Sequence, residues 1–237
     1  MSLTSPLILI ARLPGRAYCR IIARREFNRQ KVKIRERFIE YGFTFRHLNE
    51  ICPETLLDVG PGASSFPHLV SLNGVKVTAI DKNPGLSIGG MFNRHFYVQQ
   101  QDITSTKMEG QFDCVTCISV LEHIHDAAAA FRNIVRLAKP GGHILISFPY
   151  NEKKYVENAY KLKDATFGQD VNYICRIFSR SELDRWISEN QVKIVEQEYW
   201  RLFTGEFLHI GEQVLPPEKT GPDGPHHLTC LYLRKDS

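Results

Sequence analysis

The sequence lacks three features that would assign it at once to a membrane or secreted class. No apolar run reaches the roughly 20 residues that a membrane-spanning helix needs. The six cysteines are scattered, without the spacing of a small disulfide-bonded domain. Arg12 and Arg16 follow the early apolar run, residues 6–11, whereas a secretory signal has its positive residues first. We therefore expect a cytoplasmic protein with reduced thiols and no transmembrane segment.

The net positive charge of the chain is also small, and it is unevenly distributed along the sequence. The whole chain carries a formal charge of +4, but residues 1–50 hold 11 Lys and Arg against 4 Asp and Glu. A nucleic-acid-binding protein usually has a broader basic face, so DNA is not expected as a partner. Arg16, Arg20 and Arg24 would form a cationic stripe on a helix, either a solvated face or a weak contact with an anionic membrane surface. We predict a basic helical N-terminal extension over residues 1–50 and a main domain over residues 51–237.

The order of the β-rich and helical patterns predicts an α/β fold. From Thr55 onward short β-rich runs alternate with helices, which is typical of a mostly parallel sheet covered on both faces. Five parallel strands are predicted, at residues 55–60, 75–80, 95–99, 112–118 and 143–148. Two late runs, 193–203 and 227–233, flank a loop with four prolines and lack a crossover helix, so they are expected to pair antiparallel. The prediction is a Rossmann-like, doubly wound sheet of seven strands with a C-terminal antiparallel edge pair.

Two helices have recognisable start signals, and two cysteines have a recognisable spacing. Asp126 is placed to cap the helix after the fourth strand, and Ser179 and Glu182 have the spacing of a capping box. Cys114 and Cys117 form a C-x-x-C pair inside a predicted strand, where residues i and i+3 point to opposite faces. They are therefore interpreted as core residues and not as metal ligands.

A glycine turn and an acidic residue follow the first two strands. The segment Leu56–Ser64 is an apolar strand that runs into Gly60-Pro61-Gly62, and glycines let a ligand approach the backbone closely. Asp81 ends the second strand 21 positions after Gly60, close to the roughly 20 at which an acidic residue meets a nucleoside ribose. Together they predict a nucleoside-containing ligand, whereas the glycine pair alone fits an ordinary turn.

The next two strands also end in polar segments. Asp102 follows the third strand, and Ser119–His123 follow the fourth. All four candidate segments thus lie at the carboxyl ends of successive strands, where open α/β sheets bind ligands.

These residues resemble the class I S-adenosylmethionine-dependent methyltransferases, particularly those acting on small molecules. The resemblance runs from about Thr55 to Phe148 and is strongest in LLDVGPG at 56–62, VTAID at 77–81, SVLEHI at 119–124 and LAKPGGHILIS at 137–147. It implies S-adenosylmethionine as cofactor, S-adenosylhomocysteine as product, and methyl transfer to an oxygen or nitrogen atom of a small-molecule or glycan-type acceptor.

For the glycine turn, the resemblance implies contacts with the methionine and ribose parts of the cofactor. Asp58, Gly60, Pro61 and Gly62 would surround the methionine part. Asp81 would accept hydrogen bonds from both ribose hydroxyls.

For the third and fourth strands, the resemblance implies the adenine side of the site. Asp102 would accept from the adenine amino group while Ile103 packs on the ring. Ser119, Val120 and Leu121 would line the other side of the cofactor.

The same turn argues against a nicotinamide-dependent oxidoreductase. That fingerprint needs G-x-G-x-x-G, and its last glycine is replaced here by Ser65. Ser64 takes the place of the third small residue that methyltransferases usually have, and its small size is compatible with cofactor binding.

His123 is the candidate catalytic residue. A hydroxyl acceptor needs a general base and a neutral amine does not, so His123 is either a base or a residue that shapes the acceptor pocket. His125 and Asp126 make an incomplete set of metal ligands, and no metal is predicted.

The acceptor is expected between three regions: the N-terminal helices, the insert Asn83–Arg94 and the aromatic-rich stretch Tyr150–Phe207. The rings of that stretch belong either to the acceptor pocket or to the core.

Other functions remain open at this point. The D/N-P-P-Y/F turn of enzymes that methylate exocyclic amines of nucleic acids is absent after the fourth strand, where the chain has SVLE. An RNA or protein methyltransferase, or a catalytically inactive protein that binds S-adenosylmethionine, are the alternatives. The sequence does not separate O-, N- and C-methylation, nor does it give an oligomeric state.

Overall fold

The computed structural model describes residues 13–15, 17, 21, 36–84, 93 and 96–237. The chain divides into two compact units, Met1–Arg37 and Phe38–Ser237. The stripe of Arg16, Arg20 and Arg24 and most of the insert Asn83–Arg94 lie outside the described residues, so the predictions on them stay predictions.

Parallel strands form one half of a mixed sheet, as predicted. They are β1 (Thr55–Val59), β2 (Lys76–Asp81), β3 (Val98–Gln100), β4 (Phe112–Ile118) and β5 (Ala138–Pro149). Their order in space is β3-β2-β1-β4-β5, so the strand order reverses between β1 and β4. Ligands of open α/β sheets bind at such a reversal, outside the carboxyl ends of the strands.

Four α-helices lie in the described part of residues 36–237. They are α1 (Glu36–Ile51), α2 (Phe66–Ser71), α3 (Ala127–Leu137) and α4 (Arg180–Asn190), with short 3₁₀ helices at Leu121–His123 and Ala159–Lys161. Both predicted start signals are confirmed. The Asp126 carboxylate accepts from the Ala129 N–H at 2.9 Å, and the Glu182 carboxylate accepts from the Ser179 N–H at 3.0 Å. Within the described residues, no helix is long and apolar enough to cross a membrane.

The C-terminal half of the sheet is antiparallel and has one strand more than predicted. β8 (Leu228–Lys235) pairs with β5 and with β6 (Val192–Phe203), and β7 (Gln213–Thr220) pairs with β6 at the edge. The Rossmann-like class and the antiparallel C-terminal strands are confirmed, but the count of seven strands is wrong, because β7 makes eight. β7 lies inside the proline-rich segment that predicted a loop. Pro216 and Pro217 lie in an irregular stretch of this edge strand, between the pairs Arg201–Glu218 and Phe203–Gln213, where the ladder with β6 is interrupted and no hydrogen bond is lost to proline.

The helices cover both faces of this sheet. On one face Phe131 of α3 and Trp186 of α4 are buried against residues of β4 and β5, and on the other Phe43 of α1 and Phe66 of α2 are buried.

The two cysteines of the C-x-x-C pair lie in different clusters of buried residues. Cys117 belongs to the first cluster and Cys114 to the second, so the two thiols point to opposite faces. Both are fully buried, and burial raises the pKa of each thiol. The interpretation of the C-x-x-C pair as core is confirmed.

Candidate cofactor and acceptor site

The glycine turn begins where β1 ends. Gly60 has a φ of +73° and donates its N–H to the Ile80 carbonyl at 2.8 Å. A Cβ on Gly60 would lie 2.6 Å from both methyl groups of Val120, so only glycine fits here. Gly62, with a φ of +54°, has no described atom within 4 Å of the position its Cβ would take. That side of the turn is open to a ligand.

Asp81 lies directly at this turn. One carboxylate oxygen accepts from the Gly62 N–H at 3.1 Å, and the other accepts from the Asn83 N–H at 2.8 Å. The two residues predicted to hold one nucleoside are therefore in contact. Because each carboxylate oxygen can accept more than one hydrogen bond, Asp81 has capacity left for hydroxyl donors.

Asp58 takes a different position from the rest of its motif. It belongs to β1, and its buried carboxylate accepts from the Thr116 hydroxyl of β4 at 2.7 Å. The hydrogen bond ties β1 to β4 below the turn, at the point where the strand order reverses.

Asp102 and Ile103 follow β3, as expected from the sequence. One Asp102 oxygen lies 2.9 Å from Lys82 Nζ, and the other accepts from the N–H and the hydroxyl of Thr104. The hydrogen bond from Lys82, followed by those from Thr104, holds the pKa of Asp102 below its usual range. Ile103 is buried, and its carbonyl accepts from the Asn133 side chain at 2.8 Å. Asp102 is thus ionised and fixed, which is what an acceptor for an amino group requires.

Ser119, Val120 and Leu121, the predicted wall of the cofactor site, follow β4, which pairs with β1. Ser119 has a φ of +50°, a conformation that residues other than glycine rarely adopt. Val120 packs on Gly60, so this wall touches the glycine turn, while the Leu121 side chain is fully buried in the core.

His123 ends the 3₁₀ helix that follows this wall. Its Nδ1 lies 2.6 Å from the Ile174 carbonyl, and since a carbonyl only accepts, Nδ1 must carry a proton. In the neutral ring, Nε2 then holds the lone pair; it lies 3.8 Å from a Glu122 carboxylate oxygen. The imidazole is one-third exposed and meets the Tyr173 ring edge-on. This arrangement suits a general base, because the hydrogen bond at Nδ1 fixes the tautomer and leaves Nε2 able to accept a proton.

The aromatic-rich stretch divides between core and site. Tyr150 is fully buried and belongs to the core. Tyr173 contacts both His123 and Tyr160, and Tyr160 in turn contacts Phe167. Rings from this stretch therefore extend from the candidate base toward the surface, where Phe167 is 45% exposed.

Asn93 contacts the glycine turn, whereas the sequence predicted only that its segment, Asn83–Arg94, lies around the acceptor. Its amide donates to the carbonyls of Gly62 at 2.9 Å and Ser64 at 3.1 Å, and its oxygen accepts from the Phe96 N–H. The residue lies 31 positions from Gly62 in a segment without a motif, so no local pattern indicated it.

The comparisons with known proteins agree with this geometry. A family model described as a methyltransferase domain matches residues 13–197. The chain belongs to this methyltransferase-domain family. The match includes the glycine turn, Asp81, Asp102 and His123.

Relatives of this methyltransferase-domain chain include ubiquinone biosynthesis O-methyltransferases. The protein from Pseudomonas paraeruginosa is 35% identical over 111 residues, covering 44% of this chain and 48% of the relative. The protein from Alkalilimnicola ehrlichii is 32% identical over 147 residues, covering 56% and 58%. The chain thus matches about half the length of these relatives.

Solved structures of other methyltransferases share the fold at low identity. An N-methyltransferase from Bradyrhizobium japonicum in complex with S-adenosylhomocysteine has a TM-score of 0.56 and 17% identity, covering 88% of this chain and 91% of that one. A 1,6-didemethyltoxoflavin-N1-methyltransferase from Burkholderia thailandensis has a TM-score of 0.55 and 16% identity, covering 100% and 93%. At these identities the likeness supports the fold of the family.

Proposed function

We propose that this chain is an S-adenosylmethionine-dependent methyltransferase that transfers the methyl group to an oxygen or nitrogen atom of a small molecule. One observation carries the proposal. The glycine turn, Asp81, Asp102 and the wall at Ser119 lie at the carboxyl ends of four neighbouring parallel strands, around the reversal between β1 and β4.

The residues present fit the proposed cofactor. The open side of Gly62 would admit the methionine part against the backbone, and Asp81 beside it would accept from the ribose hydroxyls. The ionised Asp102 would accept from the adenine amino group, with Ile103 next to it. When bound, the cofactor would supply an electrophilic methyl carbon.

On the acceptor side, this chain has to align the attacking atom and exclude water. The rings of Tyr173, Tyr160 and Phe167 provide apolar surface next to His123. For a hydroxyl acceptor, His123 Nε2 would take the proton while Nδ1–H stays on the Ile174 carbonyl. For a neutral amine, His123 would only shape the pocket.

The first test is cofactor binding by titration calorimetry. The wild-type chain should bind both S-adenosylmethionine and S-adenosylhomocysteine, and absence of binding to either would overturn the proposal.

The second test is transfer of a radiolabelled methyl group to a panel of phenols, catechols and amines, with total RNA and a protein extract as further acceptors. Label confined to RNA or protein would replace the small-molecule proposal by one of its alternatives.

The ubiquinone relatives are, by their names, O-methyltransferases of ubiquinone biosynthesis, so hydroxyl-bearing phenols are the first acceptors to include.

We also propose a cytoplasmic location, supported by the five cysteines described as free. Cell fractionation would test it.

A further inference from the structure

A carboxylate from outside the predicted site reaches its centre. Glu40 belongs to α1, and only 1% of it is exposed. One of its oxygens accepts hydrogen bonds from the Ser119 hydroxyl and, at 2.7 Å, from the Ser147 hydroxyl. These serines lie at the carboxyl ends of β4 and β5. One buried oxygen thus joins α1 to the ends of two strands.

Ser119 is the strained residue among these contacts. Its φ of +50° is the left-handed conformation, which costs about 1 kcal/mol or more for a residue other than glycine and persists only when its surroundings enforce it. Its N–H donates to the carbonyl of Ser147 at 3.0 Å and also lies 3.2 Å from the hydroxyl of that residue. The Ser119 side chain is held by Glu40, so the strained turn is fixed through both its backbone and its side chain.

The consequence of this conformation is the position of the next residues. Ser119 directs Val120 onto Gly60, where the methyl groups occupy the space that a Cβ at position 60 would take. The 3₁₀ helix Leu121–His123 follows at once and carries the candidate base. A relaxed Ser119 would therefore move the cofactor wall away from the glycine turn.

We propose that Glu40 is a positioning residue, which holds Ser119 in its left-handed conformation and so keeps the wall Ser119–Leu121 in the geometry that binds the cofactor. This proposal rests on the proposed function, because it concerns affinity for the same cofactor. Its physical basis is conformational. When only a fraction of the molecules has the binding-competent turn, the apparent Kd rises by the inverse of that fraction.

Titration calorimetry with S-adenosylhomocysteine tests the proposal without an acceptor. Glu40→Ala should raise the Kd about tenfold, because a turn that costs roughly 1.4 kcal/mol without its clamp is populated in only about a tenth of the molecules. Glu40→Gln keeps an acceptor oxygen for the serine hydroxyls and should bind within about threefold of wild type. Because a carboxamide is close in shape to the carboxylate, this variant also covers the case in which Glu40→Ala does not fold.

The decisive variant is Glu40→Ala combined with Ser119→Gly. Glycine adopts positive φ without a steric penalty, so a glycine at 119 needs no clamp. The double variant should recover most of the affinity that Glu40→Ala loses and should bind as tightly as Ser119→Gly alone, which gives the cost of removing the serine side chain itself. Glu198→Ala is the matched control, because Glu198 is another buried carboxylate that pairs with α1, through Arg46 at 2.7 Å. It should reduce thermal stability and leave the Kd unchanged.

The outcomes separate this inference from the proposed function. Failure of the wild-type chain to bind S-adenosylhomocysteine would count against the proposed function. Normal binding by wild type and equally tight binding by Glu40→Ala would overturn the role of Glu40. A double variant as weak as Glu40→Ala would also overturn it, because the loss would then have a cause other than the conformation of Ser119.

Discussion

Asp81 is the last residue of β2 and accepts a hydrogen bond from the Gly62 N–H, so this one side chain joins the strand to the glycine turn. We expect Asp81→Ala to weaken S-adenosylhomocysteine binding roughly tenfold to a hundredfold, because the variant loses a charged acceptor worth about 1.5 to 3 kcal/mol. Calorimetry of the two proteins measures this loss. Asp113→Ala is the control, since Asp113 is a carboxylate at the opposite, amino end of β4, paired with Lys139 at 2.5 Å. Equal affinities for Asp81→Ala and wild type would remove Asp81 from the site.

His123 is the second residue whose role can be measured. With a hydroxyl acceptor, His123→Ala should lower kcat about 10² to 10⁴-fold and leave cofactor affinity nearly unchanged. The wild-type rate should rise with pH through the titration of the imidazole, and this limb should vanish in the variant. With an amine acceptor, the substitution should mainly raise the acceptor KM. A loss below about fivefold with an unchanged pH limb would rule out general-base catalysis by His123.

At the scale of elements, the glycine turn depends on a residue from the segment before β3. Asn93→Ala removes two hydrogen bonds to the carbonyls of Gly62 and Ser64. At about 0.5 to 1.5 kcal/mol each, their loss should weaken S-adenosylhomocysteine binding by roughly fivefold or more. Asn73→Ala is a matched control, because the exposed Asn73 amide donates to the Leu69 carbonyl at 2.9 Å at the end of α2. Affinity within about twofold of wild type for Asn93→Ala would mean that the turn holds its shape without this residue.

The elements also show why sequence predicted part of the site and missed the rest. The glycine turn and Asp81 follow strands directly, so their positions are set by local pattern and by the rule that parallel strands end at one edge. Glu40 and Asn93 reach the site through contacts 79 and 31 positions apart, which leave no periodic signal. For β7 a local signal is present, but it indicates the wrong structure. The prolines of this segment predict a loop, and only the free edge of β6 makes a strand possible there.

At the scale of the whole molecule, three histidines lie next to the C-terminal strands: His226 and His227 are buried, and His209 is half-buried. His226 and His227 directly precede β8. The His227 ring accepts from the Leu202 N–H at 3.1 Å and lies 3.0 Å from the Gly205 carbonyl. His209 packs on the same region through Phe203, at a ring distance of 5.4 Å. Burial lowers the pKa of all three histidines.

This arrangement predicts that the protein loses stability in mild acid. For His209, desolvation and, next, the proximity of His227 lower the pKa to about 4, whereas the unfolded chain has a value near 6.5. Because the folded pKa is the lower one, the unfolded state binds the proton more readily. Stability is complete above about pH 6.5 and falls as the pH drops toward 4. Between pH 7.5 and pH 5, His209 alone should account for about 1 to 2 kcal/mol of the unfolding free energy.

Urea unfolding at the two pH values measures this contribution in wild type and in His209→Phe. Phenylalanine keeps an aromatic ring against Phe203 and Tyr160 but cannot take up a proton.

The variant is expected to be less stable at pH 7.5, because the positive φ of 68° at position 209 suits a bulky side chain poorly. The informative quantity is therefore the difference in unfolding free energy between the two pH values and not its absolute size. That difference should shrink by about 1 kcal/mol or more in His209→Phe, since one of the groups that binds a proton on unfolding is gone. Val70→Ala, which removes buried apolar volume from α2 and no titratable group, provides the control: it should lower stability at both pH values and leave the difference as it is in wild type. An equal pH dependence in wild type and His209→Phe would mean that His209 is protonated as easily in the folded protein as in the unfolded chain.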